Sequence, residues 1–442
     1  MLKKKLTEAG FPVKEKLGPI LAPLIEEHHG DIRERLYPPE MVVFAMVTGV
    51  IARDTTLNAA VVRCNADRIQ RGLEPGSVNT SSFSDARSRL NPEIFEQASR
   101  RLANSIAEQM PNDPFWDEFI PFAIDGSTLS AADTPANQEA FPQHGNQEIG
   151  AGFPLMRVVI LQSLVSGCVH DLAYGPFQGK ETGEMALARQ ILQNLDERAL
   201  LLGDRYFPSY FTMADLIRKR IQGLFQAHSA RDVDFRRGQQ VGVLDHIVEW
   251  DKPVRPSWMS KDEYDKYPDK IRLREVEITR ETGNGEKMVV VTTLLDHQKF
   301  TKNRLVKFYK KRWKIELALR DLKDTFRMAH IDAKTPEMVN KVLWSHIMAY
   351  NSLRWHMVNA AILYHKKVEN MSVKTSSRIV TENKNAIMNS HDGNRAALFA
   401  ALFEQMVCVP VGNRPGRSEP RAVKRRPKPF PRLHGKRSDW HT

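Results

Sequence analysis

The sequence has few cysteines and no cluster of the side chains that zinc sites use. Cys64, Cys168 and Cys408 lie far apart, and no C-x-x-C pair or Cys/His group occurs in the 442 residues. This pattern indicates reduced, structural thiols, and it argues against a disulfide framework and against a zinc-binding module.

Long apolar runs are also missing. The longest strongly apolar stretch, MVVFAMVTGVIA at residues 41–52, has a dozen residues, whereas a membrane-spanning helix needs about 20. The basic start MLKKKL is followed by TEAGFPVKEK rather than by an apolar segment, so we expect no signal peptide. The sequence therefore predicts a soluble, cytoplasmic protein without a membrane partner.

Positive charge is abundant, and much of it lies at one end of the chain. The formal net charge is +12, and residues 411–442 contain ten Lys or Arg against two acids, together with five prolines. The prolines exclude a helix and predict a basic, extended tail. Such a tail suits contact with the phosphates of a nucleic acid, although a role in solubility alone would also explain it.

Residues 40–109 have the apolar spacing of three helices. Between the last two helices, Ser81 or Ser82 is placed to cap a short helix that carries Arg87 and Arg89. A small DNA-binding unit of helix-turn-helix type has this pattern, which makes the two arginines candidates for recognising DNA ends. A solvated linker helix explains the same residues equally well.

After residue 112 the pattern changes to short apolar strands alternating with helices. FIPFAIDG (119–126) and ALLLGDRYF (199–207) are typical of buried strands that end at Asp125 and Asp204. The predicted order β, β, β, α, β, α, β indicates a mixed sheet flanked by helices. Charged, alternating segments at residues 229–287 predict a β-rich insertion.

At about 100 to 200 residues per domain, 442 residues predict two or three domains. The patterns along the chain divide it into six predicted segments. They are an all-α N-terminal DNA-binding domain (1–112), the first part of an α/β catalytic domain (113–228), the β-rich insertion (229–287), the second part of the catalytic domain (288–335), a C-terminal helical region (336–410) and the basic tail (411–442).

The segment YKKRWKIELALRDLK, residues 309–323, has two stripes at helical spacing. The apolar stripe consists of Phe308, Ile315, Leu319 and Leu322, and the polar stripe consists of Tyr309, Arg312, Glu316, Arg320 and Lys323. Each residue of a helix turns about 100°, so the polar stripe lies at the edge of the buried face. A surface helix with i, i+4 ion pairs is one explanation. A phosphodiester site, in which the acid holds a metal and the cations hold phosphate oxygens, is the other.

A metal site needs further acids, and Asp125 and Asp204 are the obvious suppliers. Taken alone, each of these aspartates is more often a turn residue that accepts backbone hydrogen bonds. Their occurrence together with the polar stripe favours a site for a hard divalent cation.

These residues resemble the DDE transposases of the insertion-sequence-four family. The signature Y-x2-R-x3-E-x6-K of that family matches Tyr309, Arg312, Glu316 and Lys323. Asp125 in AIDGS and Asp204 in GDRYF stand where the family keeps its other catalytic acids. Two further segments also resemble sequences of this family, namely AADTPANQEAFP and the tail NRPGRSEPRAVKRRPKPFP. The resemblance covers roughly residues 35–432.

The resemblance implies an RNase H-like catalytic domain and cut-and-paste DNA transposition. Members bind the terminal inverted repeats of an insertion sequence, pair them in a homodimer, cleave the DNA, form hairpin ends and join them to target DNA. Asp125, Asp204 and Glu316 would be the catalytic acids and the ligands of two Mg²⁺ ions, for which Mn²⁺ can substitute. Tyr309, Arg312, Arg320 and Lys323 would bind DNA phosphates. Such an enzyme would act in the bacterial cytoplasm, at the nucleoid.

One position departs from the family pattern. Relatives that flip a base during hairpin formation stack the base on a tryptophan, and Met288 occupies the corresponding place here. Methionine stacks less well than an indole, so the sequence is compatible with DNA cleavage either with or without a hairpin step. We expect Trp250 and Trp258 in the insertion, and Trp313 beside the signature, to pack against the core.

Two other functions fit part of the sequence. A catalytically silent, transposase-derived DNA-binding or regulatory protein would have the same charge distribution, although the three acids are intact. A junction-resolving nuclease of the same fold fits the acids but explains neither the tail nor the cationic residues of the signature.

Overall fold

The structure is a computed structural model, and it describes residues 12–29, 36–179, 182–279, 287–383, 386 and 392–409. The predicted basic tail at 411–442 lies outside the described residues. The chain forms two compact units, one made of Met1–Met110, Leu129–Met156 and Asp321–Thr442, the other of Pro111–Thr128 and Arg157–Arg320. We refer to them as the helical unit and the sheet unit.

The described helices and strands follow one another in an order that is helical at both ends. The helices are α1 Pro12–His29, α2 Pro39–Ile51, α3 Leu57–Gln70, α4 Ser81–Arg89, α5 Pro92–Ala107, α6 Pro135–Ala140, α7 Glu184–Leu192, α8 Tyr210–Arg218, α9 Lys261–Tyr264, α10 Lys302–Lys310, α11 Lys314–Arg320, α12 Pro336–Leu363, α13 Val373–Glu382 and α14 Asp392–Cys408. The strands are β1 Ile120–Ala131, β2 Leu155–Ser163, β3 Val169–Pro176, β4 Ala199–Gly203, β5 Gln222–Gln226, β6 Gln239–Gly242, β7 Asp245–Asp251, β8 Lys270–Thr279, β9 Lys287–Thr292 and β10 His330–Ile331.

The strands form one mixed sheet in the order β3-β2-β1-β4-β5-β9-β8-β7-β6, and β10 pairs with the end of β1. The neighbours β1, β4 and β5 are parallel, whereas β9, β8, β7 and β6 continue the sheet in antiparallel pairs. Parallel strands need crossover connections, and α7 and α8 lie in the segments between these strands. This is the mixed sheet flanked by helices that the sequence predicts.

The core of the sheet unit lies between this sheet and the helices α7 and α8. Leu187 and Ile191 of α7 and Phe211 of α8 are buried against Val159 and Leu201 of the sheet. Their spacing of four residues places Leu187 and Ile191 on one face of the helix. Burial of a large apolar side chain stabilises the folded state by about 1.5–3 kcal/mol, so the sheet and these helices form a rigid base for the residues at the strand ends.

The helical unit is organised around α12, which packs against α2, α5 and α14. Lys341 of this helix is fully buried. Its ammonium group donates to the carbonyl oxygens of Arg87 and Ser88 at 3.1 and 2.9 Å, and it forms an ion pair with Glu337 at 2.7 Å. A buried lysine is stable only when it is paired in this way, and these bonds attach the C-terminal end of α4 to α12.

Two local predictions are wrong. The strand that contains Asp125 does not end there, because β1 continues to Ala131, where Ser130 and Ala131 pair with His330 and Ile331 of β10. Neither serine caps α4. The helix begins at Ser81 itself, whose N–H group donates to the side chain of Asn79 at 2.9 Å.

Other predictions from the sequence agree with the structure. Between residues 119 and 228 the five strands and the helices α7 and α8 follow the predicted order, but the short helix α6 between β1 and β2 was not predicted. Residues 229–287 contain β6, β7 and β8. None of the helices in the described part of the chain has the length and apolar character needed to cross a membrane. The predicted domain boundaries stay a prediction.

Candidate active site

Asp125 and Asp204 lie on neighbouring parallel strands of the sheet unit. Strands β1 and β4 pair in a register that joins Ile120 to Ala199 and Ala123 to Leu202. Two residues further on, the same register sets Asp125 beside Asp204, which directly follows the last residue of β4. Residues in register on adjacent strands point to the same face of a sheet. The structure therefore brings together two acids that are 79 positions apart in the sequence.

The surroundings of Asp125 favour its protonated form. Burial raises the pKa of its carboxyl group from 3.8 to about 6, although a hydrogen bond from the Gly126 N–H group opposes this change; the negative charges of Asp204 and Glu184 raise the pKa further, and Arg312 lowers it. Partial burial and neighbouring acids both disfavour the ionised form of a carboxyl group. Such perturbed groups are frequent at functional sites.

Glu184 is a third acid at this place, and the sequence analysis missed it. It is the first residue of α7, and burial raises the pKa of its carboxyl group, with Arg157 lowering it and Asp204 raising it. Gly126 makes room for this side chain, because a Cβ atom on Gly126 would lie 2.4 Å from the Cδ atom of Glu184. Its sequence signal, an acid at the start of a helix, is too common to single it out.

The signature residues lie on a helical segment that departs from α-helical geometry at two places. Helix α10 is followed by a 3-10 turn at Lys311–Trp313, then by α11, and then by a π-helical turn at Asp321–Thr325. The prediction of one regular helix is therefore wrong in detail. The predicted apolar stripe is nevertheless buried; its members are Phe308, Ile315, Leu319 and Leu322. Single π-helical turns inside helices occur frequently at functional sites.

Tyr309 and Arg312 lie at the edge of the buried face, as the sequence predicts. Both are buried. The hydroxyl group of Tyr309 donates to the carbonyl oxygen of Gly203, directly before Asp204, at 3.4 Å. The guanidinium group of Arg312 donates to the carboxylate of Glu316 at 2.8 Å and also acts electrostatically on Asp125. Tyr309 thus touches the strand that leads to Asp204, and Arg312 links Glu316 to the neighbourhood of Asp125.

Three further residues of this segment differ in exposure. Arg320 is exposed, and Lys323 is partly exposed within the π-helical turn. Trp313 is 54% exposed, so the prediction that it packs against the core is wrong. It precedes the buried Ile315 by two residues, which is about 200° of helical rotation and places the indole on the opposite side.

The carboxylate oxygens of Asp125, Asp204 and Glu184 are suitable ligands for a divalent cation. Carboxylate oxygens are the ligands that Mg²⁺ prefers, and the mutual effect of Asp125, Asp204 and Glu184 leaves a negative potential that a cation would offset. The side chain of Glu316, in contrast, is directed to Arg312. Within the described part of the chain, no group of three His, Cys, Asp or Glu residues is already arranged as a metal site.

Arg87 and Arg89, the candidates for DNA end recognition, lie in the last turn of α4 in the helical unit. Arg89 is exposed, whereas Arg87 is only partly exposed, and burial lowers the pKa of Arg87. Its Nε group has no hydrogen-bond partner among the described residues. Arg89 is therefore the more accessible of the two.

The aromatic residues of the insertion pack as the sequence predicts, and Met288 is buried. Trp250 is buried and donates to Glu275 at 2.8 Å, while Trp258 packs against the core of the sheet unit. Met288 is the second residue of β9 and lines a cavity.

Known proteins are similar to this chain over most of its length. Residues 118–352, more than half of the chain, match the model of a family described as transposase DDE domain. The chain is 26% identical over 441 residues to the transposase InsG for insertion sequence element IS4 of Escherichia coli (strain K12), and the match covers 97% of this chain and 94% of that protein. A cryo-EM structure of the piggyBac transposase synaptic complex with hairpin DNA matches with a TM-score of 0.44 at 11% identity, covering 94% of this chain and 87% of that one.

Proposed function

The chain belongs to the DDE transposases of the insertion-sequence-four family, and from this premise we propose that it excises an insertion sequence at its terminal inverted repeats and joins the ends to target DNA. The observation that carries the proposal is the register that sets Asp125 beside Asp204. A phosphodiester is an anion that repels nucleophiles, so its cleavage needs positive charge at the scissile group and an activated water or 3′-hydroxyl.

Asp125, Asp204 and Glu316 hold two Mg²⁺ ions in this proposal, and Mn²⁺ can replace them. When bound, these ions would supply activation of the nucleophile and stabilisation of the leaving oxygen. The raised pKa of Asp125 supports such a site, because a cation would offset the burial and the neighbouring negative charges that raise it. Glu184 would add negative charge to the same place.

Glu316 joins the site by giving up its ion pair with Arg312 and turning to the metal. Its carboxylate is 51% exposed and bonded to Arg312, whose side chain is 11% exposed. Because a buried cation without a partner is costly, Glu316 turns to the metal only when a DNA phosphate replaces it at Arg312. Arg312 is then free to donate to a phosphate oxygen of the DNA, which it binds with two parallel hydrogen bonds. Lys323 and Arg320 hold neighbouring phosphates. In the DNA-free protein Tyr309 donates to the carbonyl oxygen of Gly203 beside Asp204, and when the DNA is bound it donates to a phosphate instead.

Further parts of the proposal concern fold and assembly. The sheet unit is an RNase H-like catalytic domain, and its mixed order around β1, β4 and β5 supports this. The N-terminal helices recognise the inverted repeats through Arg87 and Arg89, with Arg89 the exposed contact. Two copies pair the ends of the element as a homodimer, in the cytoplasm at the nucleoid, and hairpin formation proceeds with Met288 covering the base where relatives use an indole.

A catalytically silent DNA-binding protein is the second candidate. The engagement of Glu316 by Arg312 favours it, since this carboxylate would be unavailable to a metal if the pair never opened. The two candidates predict the same DNA binding and differ only in cleavage.

The test is cleavage of a DNA fragment that carries the two inverted repeats flanking the gene. We expect cuts at the repeat ends with Mg²⁺ or Mn²⁺ and none with chelator. Asp125→Ala, Asp204→Ala and Glu316→Ala should each remove cleavage and retain DNA binding, while Asp265→Asn, at an exposed position of the same unit, should cleave normally. Binding without cleavage by the unmodified protein at any metal concentration would instead establish the silent protein.

A further inference from the structure

A cavity opens beside the candidate active site, at the ends of β5 and β9. Its volume is about 230 Å³, and its lining consists of Gln226, Ala227, His228, Ser229, Arg231, Val233, Lys287, Met288 and Val289. Among the residues that the structure describes, this lining contains two cationic side chains and no Asp or Glu. Pockets for whole small molecules measure roughly 300–1,000 Å³, so the cavity suits one anionic group of a larger ligand.

Arg231 is held firmly in the wall of this cavity. Its Nε group donates to Oε1 of Glu275 at 2.6 Å, and its guanidinium carbon lies 3.7 Å from the ring centroid of Trp250. Glu275 is itself 2% exposed and is fixed by Trp250 and by His246, at 2.8 and 2.9 Å. The guanidinium plane is therefore stacked on one side and anchored at one nitrogen, so binding a ligand would cost it little side-chain entropy.

The remaining donors of Arg231 are unused. A guanidinium group has five N–H donors, and the bond to Glu275 uses the one on Nε. Within the described part of the chain, neither Nη group has a hydrogen-bond partner. Two Nη groups in a fixed fork match the geometry of a phosphate oxygen pair, which is the usual ligand of such an arginine.

The cavity lies next to the catalytic strand. Strand β5 is parallel to β4, and the register that joins Gly203 to Phe225 sets Gln226 of the cavity beside Asp204. Adjacent strands are about 4.7–4.9 Å apart. The ring of Tyr206, two residues after Asp204, also contacts the ring of His228 at 6.1 Å between centroids. A strand of DNA with its scissile phosphate at Asp204 would thus pass the mouth of the cavity.

We propose that the cavity formed around Arg231 and Lys287 is a binding site for a DNA phosphate a few nucleotides from the cleaved bond. This inference rests on the proposed function, because it takes DNA as the ligand. Lys287 is 69% exposed and pairs with Glu277 on the surface at 3.2 Å, so it can turn to a phosphate while Arg231 receives it in the cavity.

The test measures how DNA affinity depends on salt, which does not require cleavage. Fluorescence anisotropy with a duplex carrying the inverted repeat, in chelator, gives the slope of log K against log salt concentration. Loss of one phosphate contact lowers the size of that slope by about 0.9 and weakens binding roughly eightfold at 0.1 M salt. We expect this change for Arg231→Gln and for Lys287→Gln. The second variant does not disturb the buried bonds of Glu275, so it keeps the test valid if the first is unstable.

Two matched controls and one competing ligand complete the experiment. Arg220→Gln and Lys270→Gln remove exposed cations of the same unit that lie outside the cavity, and they should leave the slope unchanged. Arg231→Lys keeps the charge and should keep most of the slope. If the cavity variants match the controls, the inference is overturned. It is also overturned if inorganic phosphate binds to the unmodified protein and not to Arg231→Gln while the DNA slope of both is equal. Failure of the unmodified protein to cleave DNA with Mg²⁺ would instead count against the proposed function.

Discussion

Replacing Asp125 by Asn should stabilise the metal-free protein while removing its activity. Folding raises the pKa of this carboxyl group from 3.8 to about 6, with burial as the largest cause. The folded state therefore binds the proton more tightly, and the free energy of unfolding of the unmodified protein falls as the pH rises from about 4 to about 6. The difference between 3.8 and about 6 corresponds to about 3 kcal/mol. Asn carries no charge and keeps an acceptor for the Gly126 N–H group, so the variant escapes this loss.

The assay is thermal unfolding in chelator at a series of pH values. The midpoint of Asp125→Asn should exceed that of the unmodified protein by roughly 6 °C above pH 7, at about 2 °C per kcal/mol, and the difference should shrink to its baseline near pH 4. Asp265→Asn is the control, since its carboxyl group is exposed. Mg²⁺ should raise the midpoint of the unmodified protein and not that of Asp125→Asn. A difference that does not depend on pH, or a lower midpoint for the variant at pH 8, would refute the electrostatic reasoning.

Three further changes have defined outcomes. Gly126→Ala should reduce DNA cleavage at least tenfold with little change in the unfolding midpoint, because the methyl group must displace the flexible end of Glu184. Gly175→Ala is the control and should cleave normally, since a Cβ atom there meets a neighbour at an ordinary 3.5 Å. Equal cleavage rates of the two variants would contradict this account. Glu184→Gln should raise the Mg²⁺ concentration that gives half-maximal cleavage by about tenfold, as one negative charge is lost from the site, and an unchanged requirement would exclude Glu184 from it. Asp245→Asn should lower the free energy of unfolding, measured in urea, by about 3–5 kcal/mol. The reason is that the buried Arg274, which donates two hydrogen bonds of 2.8 and 2.6 Å to Asp245, loses its charged partner. A loss below about 1 kcal/mol would show that the pair is not effectively buried.

Local patterns in the sequence predict the elements well, because each element carries its own signal. The alternation of short apolar runs with helical spacing predicts the five strands and the helices α7 and α8 between residues 119 and 228, though not the short α6. The apolar stripe around Ile315 is buried. The position of Asp204 also follows from the end of the strand before it, whereas Asp125 lies within β1. That they lie side by side depends on the pairing of β1 with β4, for which the resemblance to a family is needed.

The features that sequence reasoning missed arise from contacts between distant segments. The continuation of β1 past Asp125 depends on its pairing with β10, some 200 residues later. Glu184 becomes part of the site only because Gly126 leaves space for it. The residue type of Trp313 predicts a place in the core, although its angle from Ile315 directs it outward. The anchoring of Arg231 by Glu275 likewise joins residues 44 positions apart, which no local pattern shows.

The central claim is that Asp125, Asp204 and Glu316 bind the same divalent cations. Fe²⁺ in place of Mg²⁺, with ascorbate and peroxide, produces radicals that cut the polypeptide backbone close to the bound metal, and mass spectrometry of the fragments locates the cuts. With the DNA ends bound, the account predicts three sets of cuts, around residues 125, 204 and 316, all suppressed by excess Mg²⁺ and absent from Asp125→Ala. Cuts around residues 125 and 204 without any around 316 would contradict it.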